Sequence, residues 1–417
     1  MAIASAASRL TGFGRNLAVV VPLGATTDAS NAYNAANTLP NMLYELLLGG
    51  VLSSVLVPTL VRARSDPDAG IAFTERLLTS VLGLLIVVTV IGELFVPLIV
   101  RALSPERQRG LTAAFAWLML PEIVFYGLAA LVAAVLNTRD SFGPAMWAPV
   151  INNVVVVLAV GAFEVLPSEP NGLSAVQILV LGTGTLLGVI GQAAVTVLAL
   201  RRTGFRWGWP ASAPSHREHA RGLATAGGWA LVYVAISQVG VLVVTAVGTH
   251  RNQLTIFQTA DLVFQAPFGI LMVSLLTALM PAMSAAAAAG DVAELAELVK
   301  NSYAAARRWL VPMTALLIAG GLVIGGAISD AVAASAFGLL PFGLLMTQYR
   351  AFYACNDVRT PTFVNAAIVA VKVTLVLTWS PGSSWLNVAT SLSYVVGAAL
   401  SHVVVHRRLR SGSGFPG

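Results

Sequence analysis

The chain has 417 residues, of which 57% are hydrophobic and only 10% charged, with a formal net charge of +6. Soluble domains carry about 25% charged residues, and so few charges cannot solvate the surface of a chain this long. With a mean hydropathy of +0.81, the composition excludes a soluble enzyme and defines a polytopic membrane protein. Apolar runs of about 20 residues, rather than alternating segments of about ten, argue for helices over a β-barrel.

Twelve membrane spans are predicted, near residues 2–23, 29–61, 73–101, 111–136, 145–166, 173–200, 222–248, 253–288, 303–328, 331–354, 361–379 and 385–406. With a cytoplasmic N-terminus, 17 of the 24 Lys and Arg residues fall on the cytoplasmic loops and flanks. Only Arg101, Arg107, Arg109 and Arg251 fall opposite. Basic residues accumulate on the cytoplasmic side, so both termini are expected there. In such a chain the positive charge marks loop location rather than nucleic-acid binding. The opening MAIASAASRLTGFGRN is not expected to be a cleavable signal: it lacks a charged leading region, and Arg9 and Arg15 interrupt its apolar stretch.

Two internal matches suggest a repeat. LNTRDSFGP resembles ACNDVRTP, aligning Asn137 with Asn356, and SSVLVPTL resembles LLTALMPAM, aligning Pro58 with Pro281. The two offsets, 219 and 223, nearly coincide. The fold class expected is therefore all-α, with two parallel six-helix lobes around a central cavity. The N-terminal lobe is placed at 1–200, a basic cytoplasmic linker at 201–221, the C-terminal lobe at 222–410 and a disordered tail at 411–417. Pro40, Pro267, Pro312 and Pro341 are expected to interrupt apolar helices, either as plain kinks or where a wet cavity satisfies the freed carbonyls.

The candidate site residues are the polar ones inside spans. Arg9 and Arg15 lie six residues apart in span one, hence about 120° apart around a helix and about 9 Å along it. Intramembrane arginine is costly and marks a partner or a cavity. Two guanidinium groups suit a diphosphate, although Arg9 also lies close enough to the terminus to snorkel. Asn34, Asn37 and Asn41 share one face of span two, and Asn34 and Asn41 are assigned to substrate binding. Asp28 reads either as an N-cap or as a charge-pairing residue. Glu45, one turn beyond Asn41, is expected to neutralise a span-one arginine. Asp261, Asn365 and Lys372 complete the gating or charge-pairing set. A lysine inside the membrane needs an anionic partner or a hydrated pocket. Glu93 and Glu122 read as structural pairs or interface residues.

The single cysteine, Cys355, excludes a disulfide framework and Cys-rich metal or redox centres. The five histidines have no HExxH spacing, and neither a GxxxxGK[ST] loop nor a serine elbow occurs. No catalytic residue, metal or cofactor is expected, and the polar residues within spans favour moving a substrate over transforming one.

The run SRLTGFGRN…GATTDASNAYNAANTLPNMLYELLLGGVLSSVLVPTL resembles the opening of the MurJ/MviN family of lipid II flippases. LNTRDSFGPAMWAPVINN, QAPFGILMVSLLTALMPAMS and RAFYACNDVRTPTFVN extend the resemblance over nearly the whole chain. The resemblance implies two six-helix lobes around a cationic cavity in the bacterial cytoplasmic membrane. It further implies alternating access that moves undecaprenyl-diphosphate-linked peptidoglycan precursor outward. The family's cavity arginines would be Arg9 and Arg15, and its span-two aspartate Asp28. The implied partners are the lipid-linked precursor, membrane lipids and cell-wall synthesis proteins, with no nucleic acid.

The chain departs from the family pattern in four places. Tyr44 and Glu45 replace a basic pair, Leu262 replaces the arginine after Asp261, and the loop around Ser329–Ala333 is very short. Typical members also carry two more helices after the twelfth. Two readings therefore stand beside a flippase: a divergent, non-transporting scaffold or regulator of cell-wall synthesis, and an ion-coupled drug or lipid exporter of the same superfamily.

Overall fold

A computed structural model of the chain describes residues 2–46, 60, 70–139, 141–167, 169, 172–205, 207–208, 217–379 and 382–411. Among the described residues the structure is helical, with one isolated bridge between Glu169 and Gly172 as its extended pairing. The chain divides into two compact units, Met1–Val234 and Ala235–Gly417.

In the first unit the helices are α1 (Ala2–Leu23), α2 (Asp28–Glu45), α3 (Ile71–Leu103), α4 (Arg109–Met119), α5 (Glu122–Thr138), α6 (Gly143–Glu164) and α7 (Ala175–Arg202). Helix α8 (Arg217–His250) begins in this unit and ends in the next. The second unit continues with α9 (Leu254–Pro267), α10 (Val273–Ala289), α11 (Val292–Ile324), α12 (Ala327–Ala336), α13 (Leu339–Ala354), α14 (Arg359–Thr378) and α15 (Trp385–Ser411).

Among the described residues, nine helical stretches are long and apolar enough to cross a membrane, and the bent pair α12–α13 makes up to ten. The other two expected spans fall on α1 and α2, whose arginines, asparagines and small polar residues dilute their hydropathy. The expected second half of span two and residues 206 and 209–216 of the expected linker lie outside the described residues, as do Pro58 and residues 412–417.

Three expected boundaries need comment. The short turn expected around Ser329–Ala333 is at Gly325–Gly326, and those residues belong to α12. Both glycines have positive φ, 70° and 91°, a conformation costly for a side-chain-bearing residue. Pro341 breaks no apolar helix at mid-length; it lies in the first turn of α13, where its missing N–H has no intrahelical acceptor to lose. Span eight is interrupted as expected at Pro267, where a π-helical segment, Phe268–Met272, separates α9 from α10. Proline cannot donate, and the widened turn re-registers the backbone bonds around it.

Packing in the first unit is dominated by α6 against α7 and α1 against α6. Gly184 and Gly188 let the α6 and α7 backbones approach closely, the usual role of small residues between membrane helices; a Cβ at Gly184 would lie 2.2 Å from that of Ala159. Ser174 and Gln177 form a reciprocal capping box at the start of α7. Asn153 of α6 donates to Thr11 Oγ1 at 3.0 Å and to the Ser8 carbonyl at 3.3 Å, which fixes α1 one turn before Arg15. The core behind these contacts contains Tyr33, Phe115, Met119, Val156 and Leu181. In the second unit α15 packs on α13 and α14, and a separate core gathers Phe264, Met272, Leu310 and Leu339.

Candidate functional site

Arg15 sits where α2 and α5 supply hydroxyls to α1. Its guanidinium hydrogen-bonds to Tyr33 of α2 and Tyr126 of α5. Both tyrosines are buried. Tyr33 shares a 2.9 Å hydrogen bond with Thr185 Oγ1 of α7, and its ring meets Phe115 edge-on at 5.5 Å. Tyr126 lies 4.9 Å from the Tyr44 ring and accepts a 3.4 Å bond from Asn152 Nδ2. The same amide nitrogen donates to Gln192 Oε1 at 3.1 Å. Neutral hydroxyls orient the guanidinium without cancelling its charge, so the group remains able to bind an anion.

Glu122, at the start of α5 and one turn before Tyr126, supplies the nearby negative charge. It is fully buried, and neither carboxylate oxygen has a hydrogen-bond partner among the described residues. It interacts electrostatically with Arg15. The expected counter-charge, Glu45, is exposed at the end of α2, so the carboxylate facing Arg15 comes from α5 instead. Arg9, on the same helix as Arg15, is exposed.

Beside this network, within the first unit, α2, α5, α6 and α7 line a half-open cavity of about 340 Å³. Tyr44, Asn137, Gln192 and Thr196 bring polar groups to a lining otherwise made of alanines, Phe142, Met146 and Pro149. Gln192 thus belongs both to the cavity wall and to the chain Arg15–Tyr126–Asn152–Gln192.

The other span-two residues have local roles. Thr27, not Asp28, caps α2, accepting from the Ser30 N–H. Asp28 is the first helical residue, and its carboxylate pairs with Arg107 at 3.1 Å. Asn34 is buried, and Asn41 donates to the Asn37 carbonyl at 2.7 Å.

In the second unit Asp261 and Lys372 interact electrostatically. Gln265 donates to Asp261 Oδ2 at 2.6 Å, and Lys372 Nζ stands 5.4 Å from the Tyr394 ring centroid. Asn365, two turns before Lys372, donates to Ser237 Oγ at 2.9 Å. Among the described residues no group of three His, Cys, Asp or Glu side chains is placed to hold a metal.

Sequence reasoning missed Tyr33, Tyr126, Asn152, Gln192 and Tyr394. The available signal was the i, i+4 spacing of Glu122 and Tyr126 and the amides Asn152, Asn153 and Gln192 inside otherwise apolar spans.

The fold and the arginine-centred polar network define a polytopic, all-helical membrane protein of transporter type. A family model described as "Lipid II flippase MurJ" matches residues 20–415, and the chain belongs to that family. It is 28% identical over 417 residues to the "Probable lipid II flippase MurJ" of Rhizobium meliloti (strain 1021), covering 93% of this chain and 76% of that protein. To the lipid II flippase MurJ of Burkholderia cenocepacia it is 27% identical over 432 residues, covering 97% and 81%. Among solved structures, a lipid II flippase MurJ in an inward closed conformation superposes with a TM-score of 0.79 at 18% identity, covering 99% of this chain and 89% of that one.

Proposed function

We propose that this chain is a transporter, not an enzyme, that flips lipid II across the bacterial cytoplasmic membrane by alternating access. Membership of the flippase family supports the substrate class. The observation that carries the reading in this chain is Arg15, an arginine within the helical unit oriented by two tyrosine hydroxyls. A guanidinium so placed binds a diphosphate through two parallel N–H donors, while the polyprenyl tail stays in lipid. Arg9, Asn34 and Asn41 are assigned to the same headgroup. Asp28, Glu45, Asp261, Asn365 and Lys372 are assigned to gating or charge pairing. The 17-to-4 distribution of basic residues supports both termini on the cytoplasmic side. The matched offsets support halves at 1–200 and 222–410 joined by a basic segment at 201–221. Cell-wall synthesis proteins are the partners expected for a protein delivering this precursor.

Complementation tests the reading. The chain is expressed in bacteria depleted of their own lipid II flippase, and outer-leaflet lipid II is measured together with viability. Rescue is expected from the wild-type chain. Loss is expected in Arg15→Ala, and substantial loss in Arg15→Lys, which keeps the charge but not the planar fork. Full rescue by an Arg9→Ala, Arg15→Ala double variant overturns the assignment.

A further inference from the structure

Glu122 has no place in the headgroup reading. A carboxylate with no exposed surface and two unpartnered oxygens is poorly stabilised as an anion, because nothing replaces the donors water would supply. Among the described residues its single compensating charge is Arg15, the group assigned to the substrate. A carboxylate and a diphosphate both need that guanidinium, and a proton on the carboxylate removes one of the two competitors.

We infer that Glu122 is a proton-binding site that competes with the anionic substrate for Arg15. With Glu122 protonated, Arg15 is free to take the diphosphate. With Glu122 ionised and the substrate gone, the carboxylate holds the guanidinium. By linkage, substrate binding takes up a proton at Glu122 and release returns it. The step is a reversible protonation of one carboxylate oxygen; no covalent bond of the substrate changes.

A cavity beside the Arg15 network has room for water. Tyr126, one turn along α5, lies within electrostatic range of both Glu122 and Arg15; Asn152 Nδ2 donates both to Tyr126 and to Gln192 at the cavity wall, which orients these groups and relays no proton. A volume of about 340 Å³ has room for several waters, with polar partners at Tyr44, Asn137, Gln192 and Thr196.

Among the described residues the charged or titratable groups around Glu122 are few. Arg15 comes from α1, Tyr126 from its own helix, and Tyr33 of α2 reaches it through Arg15. Glu93 of α3 is not among the groups that act on Glu122. The polar groups that α6 and α7 add, Asn152, Thr185 and Gln192, do not titrate.

The inference rests on the headgroup reading of Arg15, so the experiment separates the two. The full chain is purified into lipid nanodiscs, and lipid II affinity is measured from about pH 4 to about pH 9, a range that brackets carboxyl groups free and perturbed. In the wild type, affinity is expected to fall as pH rises, approaching about tenfold per pH unit at its steepest for one linked proton. Glu122→Gln fixes the neutral form; it is expected to bind as tightly as the wild type does at low pH and to lose this slope. Glu122→Asp keeps an acid and is expected to move the midpoint without abolishing the slope, which covers failure of the Gln variant to fold. Independently of substrate, infrared difference spectra are expected to show a buried protonated carboxyl band that Glu122→Gln lacks. An unchanged slope in a folded Glu122→Gln, with binding lost in Arg15→Ala, overturns the competition and leaves the headgroup reading standing. Wild-type affinity in Arg15→Ala overturns both.

Discussion

Arg107 donates through Nε to both carboxylate oxygens of Asp28, at 3.1 and 3.2 Å, across 79 residues of sequence. Gln108 Nε2 donates to the same carboxylate at 2.7 Å. The first turn of α2 is thereby tied to the 3₁₀ turn Glu106–Gln108 that precedes α4. The two kinds of contact differ in value. The arginine and aspartate side chains are about half exposed, 52% and 41%, and an exposed ion pair contributes less than about 1 kcal/mol. Gln108 is fully buried, so loss of its acceptor costs roughly 1–3 kcal/mol. Arg107→Ala is therefore expected to be nearly silent in thermal denaturation of the purified protein, whereas Asp28→Ala lowers the midpoint measurably. An Arg107→Ala loss equal to that of Asp28→Ala refutes this division.

The α6–α7 contact gives a sharper test. A Cβ at Gly188 would lie 2.5 Å from Asn152 Oδ1 and 2.9 Å from the Asn152 carbonyl oxygen. The side chain can give way only by leaving Tyr126 and Gln192, and the backbone oxygen cannot. Overpacking of this kind costs about 1–3 kcal/mol. At Gly161 on α6 a Cβ would meet nothing within 4 Å, and alanine there gains helix propensity of up to about 1 kcal/mol. Gly188→Ala is expected to lower both thermal stability and lipid II transport, while Gly161→Ala leaves both intact. Equal behaviour of the two variants refutes the close-approach argument.

These contacts show where sequence reading succeeds and where it stops. Arg15 was legible because a permanent charge inside an apolar run always demands explanation. Tyr33 and Tyr126 were not, because a tyrosine in an apolar helix looks like packing until its hydroxyl partner is known. The carboxylate facing Arg15 was expected from Glu45 and comes from Glu122, since charge pairing depends on which helices pack and at what height. Spans were legible from hydropathy over about 20 residues, but a two-residue turn such as Gly325–Gly326 is smoothed away at that scale. Asp28 reads either as a cap or as a charge pair because Thr27 and Asp28 are both good capping types; backbone geometry gives the cap to Thr27 and leaves Asp28 paired with Arg107.

Asp261 and Lys372 test how the second unit holds charge inside its helices. Gln265 and the Tyr394 ring give each partner one further interaction, but neither supplies a full opposite charge. Removing one member leaves the other ionised in an apolar setting, which is costlier than removing both. In a four-protein cycle of wild type, Asp261→Asn, Lys372→Met and the double variant, each single change is expected to lower thermal stability. The double is expected to recover part of the loss, with a coupling of roughly 1–3 kcal/mol. Strict additivity refutes the pairing.

The turn between α13 and α14 makes a pH-dependent prediction. Burial pushes the Asp357 carboxyl upward, but the Thr360 hydroxyl and N–H together with Arg408 outweigh it and hold the group below the usual carboxylate range. Thr360 donates from N and Oγ1 at 2.9 and 2.6 Å, and Arg408 of α15 pairs with the same carboxylate and bonds Thr360 Oγ1 at 3.1 Å. A carboxyl depressed by folding contributes stability above its unfolded value, near pH 4, and loses it as pH falls through the folded value. Asp357→Asn is therefore expected to cost roughly 2 kcal/mol at neutral pH, and the difference from wild type is expected to close in acid. Cys355, the one cysteine of the chain, reports the transition. It is half-buried, and burial together with Asp357, against the pull of Arg408, pushes its thiol up to about 11, so the folded protein reacts slowly with a maleimide dye and unfolding exposes the site. The labelling midpoint of Asp357→Asn is expected to fall by about 2–4 °C at neutral pH. A gap between the two proteins that persists unchanged into acid shows that the Asp357 charge contributes nothing to stability.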